Sequence, residues 1–273
     1  MGKDDLQYRK KLNQKQIELM HVLYRFRFAT TELIAEYQGK KNGTRVYPRV
    51  MTLVEQGYIG RNFEPEYRKQ DKPATYFLLP RGVSALKKAS SKQYDAKVLH
   101  NIYGDKDASP SFIEENIAIF GAYCRLKARY GDKLQFFTKS DLVGFDHGHF
   151  PEPLPNAYLR LSEGEGIKQY FLDFHPSEPT RPFFKSVRRI KQYAAHADSN
   201  KWTATGESLP QILALCDTPA VQKRLQKRMA KEKHTALRFL LTAKESLKKV
   251  AEDAHIWQLA DRPDELVSLG ESN

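Results

Sequence analysis

Two cysteines in 273 residues cannot hold a chain of this length together covalently. Cys124 and Cys216 stand far apart, each in an apolar stretch, and form no C-x-x-C unit. Neither a zinc site nor a disulfide framework is expected; two small buried thiols in a reducing compartment are. Long hydrophobic runs are missing too. No segment approaches the roughly eighteen apolar residues that a membrane span needs. The opening "MGKDDLQYRKKLNQ" lacks the apolar centre of a secretory signal, and Leu6 stands where a myristoylation signal carries Ser or Thr. The expectation is a cytoplasmic protein with no membrane partner. No Walker loop, dinucleotide fingerprint or nucleophile elbow occurs either.

Acidic residues are the remaining shortage. The chain has 45 Lys and Arg against 33 Asp and Glu, a net charge of +12. The excess is uneven. Residues 1–95 hold 19 against 10, a net of +9; residues 96–273 hold 26 against 23, a net of +3. A basic region joined to a nearly balanced one points to a polyanionic partner for the first.

Within that basic region, "NQKQIELMHVLYRF" and "ATTELIAEYQG" show helical spacing of apolar residues, the second capped by Thr30 or Thr31 and stopped by Gly39. In "KKNGTRVYPRVMTLVEQGYI", Val46, Val50, Leu53 and Val54 form a further stripe ended by Gly57. Pro48 fits only in a first turn, so this helix starts near Tyr47. The period then changes to two: "YIGRNFE" and "PATYFLLP" read as strands around the polar "PEYRKQDK", and "RGVSALKKA" closes the unit as a helix. Three helices followed by a two-stranded hairpin make a winged helix-turn-helix. Its recognition helix enters a major groove by its N-terminal end, where Lys40, Lys41, Thr44, Arg45, Tyr47 and Arg49 lie. Arg61, Arg68, Lys69 and Lys72 lie on the wing, within reach of backbone phosphates. Double-stranded DNA is the expected partner; a winged helix used for protein contacts is the alternative.

The expected organisation is a winged-helix domain over 1–92, a linker over 93–110 with a short helix around Lys97–His100, a mixed-sheet α/β domain over 111–260 and a tail over 261–273. In the third region Ser111 and Glu114 suggest a capping box, opening a helix that stops at Gly131. Then follow the strand "KLQFFT", a loop, the strands "NAYLRL" and "KQYFLDFH", the helix "PFFKSVRRIKQYAAHAD", the strand "PQILALC", the helix "TPAVQKRLQKRMAKE", the strand "ALRFLLT" and the helix "AKESLKKVAEDAHIW". Three consecutive strands imply an antiparallel portion, and the alternation after them a parallel one. Trp257 reads as core. "DHGH", with Asp146, His147 and His149 near Glu152, reads as a polar loop before a metal site. The basic face of "QKRLQKRMAKEKH" is a second candidate for the DNA backbone, against a solvated face.

This order resembles the core of the PD-(D/E)xK nucleases. That resemblance implies two carboxylates holding Mg²⁺, the second two residues before a lysine on the same strand face. The equivalent places here are Pro155-Asn156 and Asp173-Phe174-His175. Asn156 offers a neutral carbonyl where an anion is wanted, and His175 stands for the lysine. Glu114 or Glu115 could supply another carboxylate, and Lys185, Arg188 or Arg189 a migrated cation. The candidate site is therefore Asp173, His175, Asn156 and Glu115, read as vestigial, with no cofactor expected unless a nuclease holds Mg²⁺.

The chain as a whole resembles the replication-relaxation family of bacterial plasmids and mobile elements. The matching stretches are "LVEQGYI", "YFLLPRG", "LPNAYLRL", "YFLDF", "RRIKQYAAH", "PQILALCDTPAVQKRL" and "RFLLTAKESL…IW". The family pattern carries Pro-Asp before the first strand of the hairpin, Glu-x-Asp in the second, then an Arg-Gly turn; this chain has Asn156, Asp173, His175 and "PSE". A family lysine corresponds to Arg189, with Tyr193 retained. The resemblance implies a role in replication, copy control or transfer of an element's DNA, with replication or transfer proteins as further partners. A Mg²⁺-dependent endonuclease with a rearranged site and a winged-helix transcriptional regulator stay open as alternatives. Nothing in the sequence fixes the oligomeric state.

Overall fold

The computed structural model describes residues 12–69, 71–89, 94–143, 147–164, 166–177, 182–229, 237–251 and 255–270. The chain divides into two compact units, Met1–Ala108 and Ser109–Asn273.

Unit 1 opens with α1 (Gln14–Phe26). The Asn13 side chain accepts the Gln16 amide and the Gln16 side chain accepts the Asn13 amide, both at 3.0 Å, so two otherwise orphaned donors are satisfied. After the two-residue strand β1 (Phe28–Ala29), Thr30 caps α2 (Thr31–Tyr37) by accepting the Leu33 amide at 3.2 Å. A 3-10 turn at Gly43–Arg45, capped by Asn42, leads into α3 (Tyr47–Glu55), with Pro48 in its first turn and Gly57 at φ 70° beyond its end. Then come β2 (Ile59–Asn62), α4 (Pro65–Lys69), β3 (Thr75–Leu78), α5 (Pro80–Ala89) and α6 (Ala96–Tyr103). The strands form an antiparallel sheet in the order β1-β3-β2. Gly60 faces Phe77 across β2 and β3, and a Cβ there would lie 2.3 Å from the ring, so only glycine lets the ring cross.

Unit 2 runs α7 (Pro110–Tyr130), β4 (Leu134–Thr138), α8 (Lys139–Leu142), β5 (Ala157–Glu163), β6 (Gly166–His175), α9 (Pro182–Asp198), β7 (Gln211–Cys216), α10 (Pro219–Met229), β8 (Phe239–Ala243), α11 (Lys244–Leu247), β9 (Trp257–Leu259) and β10 (Leu266–Val267). Among the described residues these strands make a seven-stranded mixed sheet, ordered β10-β9-β8-β7-β6-β5-β4. β4, β5 and β6 are antiparallel, β6, β7 and β8 parallel, and β8, β9 and β10 antiparallel again. The central parallel strands are buried almost end to end, which explains their unbroken apolar letters. Phe171, Ile190, Tyr193, Trp202, Ile212, Leu225 and Leu241 share one core cluster. Both cysteines are buried. Among the described residues no helix is long and apolar enough to cross a membrane.

The structure differs from the expectations in five places. The small sheet has a third strand, β1, because Phe28 and Ala29 pair with Phe77 and Tyr76; two residues are too few to show a period. The polar stretch of the hairpin contains α4. Helix α7 is capped by Ser109, not Ser111: the Ser109 hydroxyl accepts the Phe112 amide at 3.3 Å and Pro110 takes the first helical position. The helix expected through Trp257 is confined to Lys244–Leu247; Trp257 is wholly buried at the start of β9, on the strand side of β8. The expected tail contributes β10, the buried Leu269, and a Gly270 amide that donates to the Tyr170 hydroxyl at 2.9 Å.

Residues 93–110, expected as a linker with a short helix around Lys97–His100, carry a helix there as α6, whose Val98, Leu99 and Ile102 are buried. Position 93 lies outside the described residues. Asp105, 1% exposed, accepts from Arg27 Nε at 2.9 Å and from its Nη2, and the same guanidinium donates to the Asn101 carbonyl at 2.7 Å. Breaking a buried pair from one side leaves a charge without compensation. Asp105→Ala is therefore expected to lower the stability of unit 1 by about 3 kcal/mol. Urea unfolding followed through unit 1 probes measures this; an unchanged midpoint would contradict the anchoring role.

Candidate functional site

In unit 2 the polar residues of the hairpin meet where β6 ends. Alternation along β6 places Phe171, Asp173 and His175 on one face, and the pairing Ala157↔Leu172 sets Asn156 opposite Asp173. Both Asp173 and Asn156 are buried. Their side chains bind backbone amides across the strand pair: the Asn156 amide donates to Asp173 Oδ1 at 2.9 Å, and Asn156 Oδ1 accepts the amide of Phe174, the residue after Asp173, at 2.8 Å. Asn156 Nδ2 donates to Glu115 Oε1 at 2.7 Å, which also faces Lys139 Nζ at 3.3 Å. Helix α9 brings two more donors, four residues apart on one face. Arg189 Nε and the Tyr193 hydroxyl reach Asp173 Oδ2 at 2.5 and 2.6 Å. Arg189 also donates to the Pro153 carbonyl at 2.6 Å and lies over the Tyr193 ring at 4.3 Å.

Burial alone would raise the Asp173 carboxyl. The Arg189 charge, its hydrogen bond, the Tyr193 hydroxyl and the Asn156 amide outweigh burial and hold it below its usual value. Burial pushes Tyr193 well above the ordinary phenol, with Asp173 adding to the rise, so it stays a donor. Burial pushes the His175 imidazole down to about 4; Asp173 opposes this and Arg189 reinforces it. His175 Nδ1 shares a hydrogen bond with the Ser186 hydroxyl at 2.9 Å.

These residues do not fit a magnesium ion. Mg²⁺ requires several hard oxygens turned toward one point. Both Asp173 oxygens, the Asn156 carbonyl and one Glu115 oxygen are already engaged by donors of this chain, and a guanidinium stands where an ion would approach Asp173. Glu114 is turned elsewhere, to Lys244 at 3.3 Å, which also pairs with Asp217. Among the described residues no group of three or more His, Cys, Asp or Glu is placed to hold a metal ion. Arg189 and Tyr193, 16 and 20 residues beyond Asp173, complete the cluster; the sequence offered Arg189 among the candidate migrated cations, and the family resemblance paired it with Tyr193. Of the "DHGH" loop, Asp146 lies outside the described residues, and His149 packs against Phe150 and Trp202 at 5.0 and 5.2 Å. On α10, Leu225 and Met229 are buried; residues 230–236 lie outside the described residues.

In unit 1, Lys41, Thr44, Arg45 and Tyr47 are exposed around the start of α3, with Lys40 and Arg49 half-buried beside them. Burial and the charges of Arg49, Lys15 and Arg45 push the Lys40 ammonium below its usual value, so these cations crowd one another. Arg49 Nη1 and Arg61 Nε are buried without an acceptor. Arg61 lies over the Phe63 ring at 4.5 Å and Lys72 over the Tyr67 ring at 4.5 Å. Lys69 is exposed on α4; the Arg68 side chain lies outside the described residues.

No family model and no curated protein matches the chain. Among solved structures it is similar to the restriction endonuclease FokI bound to DNA, at 11% identity and a TM-score of 0.29, over 87% of this chain and 44% of that one. The chain thus spans less than half the length of that protein, and a likeness this low carries no argument about fold or activity.

The His175 environment sets a pH dependence. Its folded value, about 4, lies below the ordinary 6.5, so the unfolded chain binds the extra proton between the two and stability rises with pH there. The contribution is complete above 6.5 and is lost as pH falls toward 4, about 3 kcal/mol in all. His175→Asn is expected to flatten this part of the stability profile in urea titrations; a variant with the wild-type slope would refute a neutral buried imidazole.

Proposed function

We propose that this chain is a DNA-binding protein of a bacterial mobile element, acting in plasmid replication, copy control or conjugative transfer. Unit 1 is a winged helix-turn-helix that grips duplex DNA, and unit 2 is a PD-(D/E)xK nuclease-like scaffold without catalytic activity. The sequence resemblance to the replication-relaxation family supplies the setting. The observation that carries the reading is the crowding of Lys15, Lys40, Arg45 and Arg49 near the start of α3, with Lys41 and Arg45 exposed there. Like charges held together repel, and a surface that keeps them is suited to a polyanion, whose phosphates relieve the repulsion.

For unit 2, the engaged oxygens around Asp173 favour the scaffold over the endonuclease. Supercoiled plasmid incubated with the protein and Mg²⁺ or Mn²⁺ is expected to remain uncut; nicking that disappears in Asp173→Ala would restore the nuclease. For unit 1, Lys41→Ala combined with Arg45→Ala removes two exposed cations and leaves the buried core untouched. The double variant is expected to bind the element's duplex DNA at least tenfold more weakly, with an unchanged circular dichroism spectrum. Its logarithmic salt slope should fall by about 2, close to one for each phosphate left unneutralised. Unaltered affinity, or binding indifferent to salt, would point to a protein partner instead. Footprinting on the element's origin and on its promoters separates replication or transfer from transcriptional control.

A further inference from the structure

The cleft beside Asp173 holds more positive charge than its own carboxylates use. It encloses about 710 Å³, and its lining includes Glu115, Lys139, Asp173, Lys185, Arg188 and Arg189. Glu115 is matched by Lys139 and Asp173 by Arg189. Lys185 and Arg188, both exposed on the first two turns of α9, have no acidic partner among the described residues. Next to Lys185 stands Phe184, 80% exposed, the most exposed of the large apolar side chains described. Its neighbour Phe183 turns the other way, under Arg224 at 4.1 Å. Phe184 and Arg188 stand four residues apart on α9, one turn along the same helix face.

Two cations that line a cleft, with an exposed ring adjoining them on the same helix, suit a ligand with alternating anionic and aromatic parts. Duplex DNA offers phosphates but keeps its base faces stacked inside. A single strand offers both, and base–aromatic stacking with a cationic track is how strands are held without sequence preference. We propose that this cleft takes a single-stranded nucleic acid segment, its phosphates on Lys185 and Arg188 and a base stacked on Phe184. Binding needs no divalent ion, because cations of the chain already face both carboxylates. The proposal stands on α9 and its cleft alone and goes beyond the reading of unit 1.

The test uses the full chain and fluorescein-labelled oligothymidylate in the presence of EDTA, read by anisotropy. Binding is expected, with Phe184→Ala weakening it about tenfold and Phe184→Trp retaining it. Lys185→Glu with Arg188→Glu should abolish it, while Lys41→Ala with Arg45→Ala leaves it intact. Duplex binding should show the converse pattern, so failure here and failure of the unit 1 reading are distinguishable. Oligothymidylate binding that ignores the Phe184 and Lys185/Arg188 changes overturns the proposal. So does binding that appears only with Mg²⁺, or equal competition by duplex DNA at this cleft.

Discussion

Asp173 is a carboxylate almost wholly buried at the end of β6, and keeping it charged there requires donors from neighbouring elements. Asn156, just before β5, offers a backbone amide; α9 offers a guanidinium and a phenol. This requirement fixes the rotation of α9, because Arg189 and Tyr193 reach one oxygen only from a single face. It also fixes the start of the β5–β6 pairing, because Asn156 closes the ladder with its side chain. The apolar core of unit 2 would tolerate small slides of α9 across the sheet. The charge does not, and in this sense a polar network specifies the packing that the hydrophobic cluster stabilises.

Unit 1 handles charge in the opposite way. Its deeply buried carboxylate, Asp105, is matched by Arg27, while the cations around the start of α3 crowd one another. The first arrangement ties a segment down; the second leaves a field at the surface. The same residue type, arginine, serves both ends because its guanidinium can be saturated inside a protein or left open toward a phosphate.

Much of the architecture was legible in the letters. Pro48 placed the start of α3, and the change of period after Gly57 announced the hairpin. The order of elements in unit 2 foretold a sheet with antiparallel and parallel portions. What escaped notice had too little length or too strong a tertiary cause. β1 and β10 are two residues each. Residues 244–257 carry good helix formers, yet Trp257 is drawn to the edge of β8 because burying its ring outweighs local preference. The linker reading of 93–110 rested on polar composition and could not anticipate that Arg27, some eighty positions earlier, would need Asp105. Asp173 and His175 were visible as a pair on one face, and Arg189 as one of three candidate cations; that Arg189 and Tyr193 would both bind one Asp173 oxygen follows from the crossover geometry.

The double duty of Asn156 constrains how this unit can change over time. Its carbonyl accepts the Phe174 amide while its amide group donates to Glu115. Aspartate at that position would keep the acceptor, lose the donor, and set a third carboxylate beside Asp173 and Glu115. Replacing Arg189 first would instead strand Asp173 without its counter-charge. Either order passes through a less stable chain, so no single substitution leads smoothly from this site to a metal-binding one. The network is thus a barrier in sequence space as well as a joint in the fold.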